Sequence, residues 1–284
     1  SCGTGIGGSI FTHIPAYRSE RGVCLKSKGI DFCSGNIVKQ LLLFSIPIVM
    51  GELLQNLYNS ADAIVVGNFV SKQALAAVSI CVGPSDLMVG FFNGMSMGSS
   101  VVVAQSFGLH DREKLLRAMR VSFTFSVIFG VLVSLLGILC APLLLRITGA
   151  QPEVFGDALA YLRVYLSGLM FTAIYNIGAG IVRAIGDAEA PFRILVVSCC
   201  VNIVMDLVCV GLLSMGVIGA AVATVFSQLC SVILIYRRLK RESGDFRMSL
   251  TELRENFAIA RRVVTIGIPS GLQNAMIAIS NLFV

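Results

Sequence analysis

Apolar residues in this chain fall into long, unbroken blocks, at about 41–66, 76–104, 121–145, 158–181, 194–214, 217–236 and 263–284. Six blocks are complete and the seventh runs to Val284, the last residue. A helix needs about 20 apolar residues to cross a hydrocarbon layer about 30 Å thick. A spanning strand would need only about 9–11 residues of alternating character. Backbone groups in lipid must also satisfy one another, which helices do within each segment. The pattern predicts an all-α polytopic membrane protein: a six-helix transmembrane bundle plus the start of a seventh helix.

Composition and charge placement sharpen this. Of 284 residues, 56% are hydrophobic and 13% charged, against about 25% charged in an ordinary soluble domain. A net charge of +6 raises the question of nucleic acid, but the basic residues are placed by side. Arg112, Lys114, Arg117 and Arg120 lie in the second connection, Arg183 and Arg193 in the fourth, and eight more between Arg237 and Arg262 in the sixth. With five before the first block, 19 of the 22 Lys and Arg fall on one side. The positive-inside rule then puts the N-terminus and the even-numbered connections in the cytoplasm, and basicity records insertion, with no nucleic-acid partner implied. Six of the nine cysteines lie inside apolar blocks as small hydrophobes, and no C-x-x-C occurs. Neither a metal centre nor a disulfide framework is expected. His13 and His110 fall outside the blocks, which leaves a membrane-embedded enzyme without a histidine at depth.

The two ends differ from the middle. Residues 1–35 mix Gly, Ser, Cys and charge without a helical period, and the first Met is Met50; they read as a non-homologous or artefactual extension. At the other end, Gly267-Ile268-Pro269 repeats Ser45-Ile46-Pro47. A repeat after six spans is a transporter built from two lobes related by an axis along the membrane normal. The expected layout is a first lobe over 36–236, a basic cytoplasmic linker over 237–262 that could lie on the membrane surface, and a truncated seventh helix over 263–284 opening a second lobe not included here. One lobe alone is expected not to transport.

Carboxylates inside the blocks carry the chemistry. An aspartate at the bilayer centre costs about 2.5–3.5 kcal/mol on insertion scales and marks ion or proton pathways. Asp62 and Asp206 are the clearest cases. Asn202 and Asp206 are spaced to share a helix face, as are Gln55, Tyr58, Asn59 and Asp62. Such a carboxylate, in low dielectric with amide and hydroxyl partners, can take a proton on one side and release it on the other. Asn202 and Thr224 read equally well as helix-packing groups. Glu52 lies either in a cavity or near an interface. Asp86, soon after Pro84, reads as a cap or local turn. Gly90, Gly94 and Gly98 form a ridge for close helix packing, and Pro47 and Pro269 are expected to kink their helices.

Taken in order, these motifs resemble the MATE (multidrug and toxic compound extrusion) family, in its DinF-like branch. The carriers are Pro47 with Gln55, Tyr58, Asp62 and Gly67; Ala74-Leu75-Ala76-Ala77; Arg183-Ala184-x-Gly186-Asp187-x-x-x-Pro191; Asn202-x-x-x-Asp206; and Gly216-x-x-Gly219 onward to Thr224 and Gln228. The resemblance implies a multi-pass antiporter of a bacterial cytoplasmic membrane. It would exchange H+ or Na+ for organic cations or drugs, with no cofactor. It implies a coupling-cation site at Asp62, Asn202, Asp206 and Thr224, with Na+ possible at Asp206 and Asn202. Gln55, Tyr58, Asn59 and Asn176 would line the substrate cavity. A lipid-linked oligosaccharide flippase of the same superfamily is the alternative; it would carry more basic residues in its cavity.

Overall fold

The computed structural model describes residues 37–70, 72–109, 111–243 and 246–282, all helices and short turns. The helices are α1 (Ile37–Phe69), α2 (Lys72–Gly108), α3 (Arg112–Ile147), α4 (Pro152–Ala184), α5 (Glu189–Asp206), α6 (Gly216–Ser243), α7 (Leu250–Glu255) and α8 (Phe257–Leu282). A π-helical turn, Leu207–Leu212, extends α5. Among the described residues α1 to α6 each hold a segment long and apolar enough to cross a bilayer. The observed helices overrun the apolar blocks, because charged residues at the bilayer boundary continue the same backbone hydrogen bonding in water. The supposed linker 237–262 is thereby shortened: α6 continues to Ser243 and α8 begins at Phe257.

Exposure follows a membrane logic. Leu132, Leu135, Leu136, Leu139 and Leu143 of α3 are all more than half exposed, at spacings that form one outward stripe. In water such a stripe would be an aggregation surface; in lipid it is the solvated face. Inside, serine hydroxyls tie neighbouring helices. Ser96 Oγ donates to Asn176 O at 2.6 Å, linking α2 to α4. Ser198 Oγ donates to Ser227 O at 2.9 Å, linking α5 to α6, and Ser134 Oγ donates to Leu166 O, linking α3 to α4. These are the buried polar contacts that hold helices together where lipid supplies no hydrophobic drive.

The glycine ridge of α2 packs as its spacing predicts, and its partner is α8. A Cβ on Gly94 would overlap the Gly271 backbone nitrogen, and one on Gly98 would come within 2.8 Å of Gly267 N. Backbone meets backbone along this seam. Pro47 and Pro269 lie inside α1 and α8, which remain helical on both sides of them.

The basic connections gather at one end of the bundle. Gly186, at φ +91°, ends α4 in a conformation that glycine adopts without a steric penalty. Asp187 then serves two elements. Its Oδ1 accepts from Ala190 N at 3.0 Å at the start of α5, and its Oδ2 accepts from Arg238 Nη2 of α6 at 2.6 Å. Arg120 of α3 pairs with Glu252 of α7 at 3.1 Å. At the same end Asp111 caps α3, accepting from Lys114 N at 3.1 Å. Its hydrogen bond to the Lys114 ammonium holds the Asp111 carboxyl below the usual carboxylate range. The cap therefore holds above the ordinary carboxylate pKa and is lost as pH falls through the lowered value.

Phe246 anchors the stretch between α6 and α7. It is 1% exposed and meets Phe123 edge-on with ring centroids 5.4 Å apart, beside Tyr236 at 6.0 Å. Removing a buried Phe ring costs about 3–5 kcal/mol. Phe246→Ala is therefore expected to release this connection, seen as faster tryptic cleavage at Arg247 and Arg254. An unchanged cleavage rate would contradict the anchor.

Candidate functional site

The site begins with the α5–α6 hairpin. The π turn at Leu207–Leu212 widens the helix directly after Asp206, and its irregular ladder includes Leu213 N to Val208 O at 2.9 Å and Met215 N to Cys209 O at 3.0 Å. Single π turns recur at functional sites. Ser214 (φ +50°) and Gly216 (φ +61°) then reverse the chain. Gly219 lets α6 approach closely, since a Cβ there would lie 3.1 Å from the Cys209 carbonyl.

This hairpin brings Asn202, Asp206 and Thr224 into the bundle interior, at 0%, 1% and 4% exposure. All three engage in hydrogen-bonding or electrostatic interactions, and the Thr224 hydroxyl also donates to Ala220 O at 3.0 Å. A carboxylate held this far from water is stable only with such partners. On the other flank is α1. Gly51 packs near Leu195 of α5, and equal steps along these two parallel helices lead to position 62 and to Asp206. The side chains of Asn59 and Asp62 lie outside the described residues.

A cavity of about 760 Å³ opens beside this cluster, walled by α1, α2, α4, α5 and α6, with Asn274 of α8 at its edge. Gln55, Tyr58, Asn176 and Thr224 line it. Asn202 and Asp206 are absent from its wall and buried, while Thr224, also buried, lines it.

Asp86 and Arg183 depart from the sequence reading, and Glu52 takes one of the two places it left open. Asp86 neither caps nor turns anything: α2 continues past Pro84 in both directions, and Asp86 faces the cavity. Glu52 lines the cavity as well. Arg183, read from sequence only as a topology residue, reaches the wall from the last turn of α4 and lies within electrostatic reach of Glu52 and Tyr175. The Tyr175 hydroxyl in turn donates to Pro191 O at 3.0 Å, bracing α4 against α5.

The family model described as MatE matches residues 47–208, which span α1 through the start of the π turn. The chain belongs to the MATE family. It is 28% identical over 255 residues to the probable multidrug resistance protein YpnP of Bacillus subtilis, covering 88% of this chain and 56% of that protein. It is 24% identical over 251 residues to the multidrug export protein MepA of Staphylococcus saprophyticus, with 88% and 56% covered. The fold is similar to a solved structure of a multidrug resistance MATE family transporter of the MOP superfamily in its outward-facing conformation. The TM-score is 0.80 at 29% identity, covering 90% of this chain and 57% of that one. This MATE chain thus spans about half the length of the relatives it matches, and it is a multi-pass membrane protein.

The signals that would have found the missed residues were present. Arg183 opens the Arg183-Ala184-x-Gly186-Asp187 motif and sits in the last turn of α4. Asp86 shares a helix face with Gly90 and Asn93. That face turns toward the cavity, where all three residues are found.

Proposed function

We propose that this MATE chain forms the first lobe of an exporter that exchanges H+ or Na+ for organic cations or drugs across a bacterial cytoplasmic membrane, with its basic end in the cytoplasm. The observation that carries the reading is the burial of Asp206 and Asn202 on α5, a helix that also walls a cavity large enough for a drug-sized molecule. Protonation or Na+ binding neutralises the Asp206 cluster. Because α1 packs on α5 beside it, the gain or loss of that charge changes how α1 seats and so reshapes the cavity. The lobes then rock between states open to either side. Asp62, Asn202, Asp206 and Thr224 hold the coupling ion, and Gln55, Tyr58 and Asn176 contact the substrate.

The naming of its relatives as multidrug proteins supports drug export. Arg183 in the wall favours a lipid-linked anion as the second reading, but the same wall carries two carboxylates, Glu52 and Asp86. That balance supports a cationic substrate. The test is ethidium accumulation in a pump-deficient bacterium expressing the full-length protein that carries this chain. Export that stops with a proton uncoupler or on sodium removal is expected. Well-inserted protein with no export would shift the reading to the lipid-linked substrate.

A further inference from the structure

The cavity holds a carboxylate that the coupling cluster does not use. Asp86 lies near the middle of α2, about 21 Å along the helix from Lys72 at 1.5 Å per residue, and faces the cavity. It makes no hydrogen bond or ion pair among the described residues. Its two charged companions in the wall differ in this respect, because Glu52 and Arg183 act on one another. Opposite charges that share a site offset each other, so among the described charged residues of the wall Asp86 is the uncompensated one.

Its surroundings suit a large, soft cation. The helices α2 and α4 run parallel, and their register is set by Ser96 donating to Asn176 O and by Gly180 abutting Ser96 and Ser100. The same register carried back along both helices brings Asp86 level with the stretch of α4 around Tyr165. Tyr165 and Tyr161 also line the cavity and stack on each other, with ring centroids 6.1 Å apart and an interplanar angle of 15°. Aromatic faces attract organic cations, and a carboxylate at the same depth adds a charge that only a cationic ligand can match.

We propose that Asp86, with the Tyr161–Tyr165 stack, is a substrate-cation subsite of this cavity, distinct from the buried Asp206 cluster. It takes aromatic or lipophilic cations carrying a delocalised or quaternary positive charge. This deepens the exporter reading and rests on it. It assigns the two carboxylates to separate tasks, Asp206 to the coupling ion and Asp86 to the cargo. A single ionised group would otherwise have to exchange one for the other.

The experiment is equilibrium binding of ethidium, followed by fluorescence polarisation, to the purified full-length protein and its variants. Asp86→Asn is expected to weaken ethidium binding about thirtyfold or more, the usual scale for truncating one partner of a desolvated charge pair. Asp86→Glu, which keeps the charge, is expected to stay within about threefold of wild type. If Asp86→Asn does not fold, Asp86→Gln against Asp86→Glu gives the same comparison. Wild-type affinity in a folded Asp86→Asn or Asp86→Gln protein would overturn the subsite and leave the exporter reading standing, as would equal losses in Asp86→Glu and its amide counterpart. A wild type that neither binds nor exports ethidium would overturn both.

Discussion

Asp206→Asn is expected to abolish coupled export while leaving a folded, membrane-inserted protein. The amide keeps the shape and hydrogen-bonding reach of the carboxylate, so the interior around Asn202 and Thr224 still closes over it. It cannot release a proton, and it offers a sodium ion no net charge. Position 206 is 1% exposed, so water does not compensate for a lost charge there. The proposed switch depends on this site being charged in one state and neutral in the other; fixing it neutral holds the protein in one state. The loss should be at least tenfold in uncoupler-sensitive flux, about 1.4 kcal/mol or more of coupling. Thr224→Ala is the milder companion, since it removes a hydroxyl that also bonds within its own helix.

Gly94→Val is expected to be the most damaging change to the architecture. A Cβ at Gly94 falls on the Gly271 backbone, and nothing flexible stands there to give way. Overpacking a well-filled core costs 1–3 kcal/mol or so even when side chains can move; here two helix backbones would have to separate. The α2–α8 seam opens, with Gly98 facing Gly267 one turn along. In the proposed cycle this seam carries the contact between the first lobe and the helix that begins the second, so opening it removes closure at the basic end. Thermal unfolding of the detergent-solubilised protein should show a large drop for Gly94→Val. Gly156→Ala, where an added Cβ meets nothing within 4 Å, should show little change. Equal melting of both variants would contradict backbone contact at Gly94.

Much of this was legible in the sequence, and the parts that were not have physical causes. Apolar blocks mark where a helix lies in hydrocarbon, so six spans and their order could be read directly. They say nothing of where the helix stops in water, which is why Arg237–Ser243 read as linker and is helix. Asp86 was misread because a proline followed by an aspartate is turn chemistry in water. Here α2 is braced by α4 and α8 on both sides and runs on through Pro84. Arg183 was counted only toward topology, and its place in the cavity wall depends on how the end of α4 meets α1 and α5. Polar spacing placed Gln55 and Tyr58 on one face of α1 and paired Asn202 with Asp206, and the fold puts the first pair in the cavity wall and buries the second. The π turn after Asp206 has no signature in a single sequence. The partner of the glycine ridge could have been read, since Gly267 and Gly271 form a matching small-residue pair on α8.

The central claim is that the Asp206 carboxylate couples cation movement to export. Purified full-length protein in liposomes, under an imposed proton or sodium gradient, tests it by ethidium flux for wild type beside Asp206→Asn. The account predicts gradient-driven flux in wild type and none above the empty-liposome level in the variant. Equal gradient-driven flux in both would contradict it.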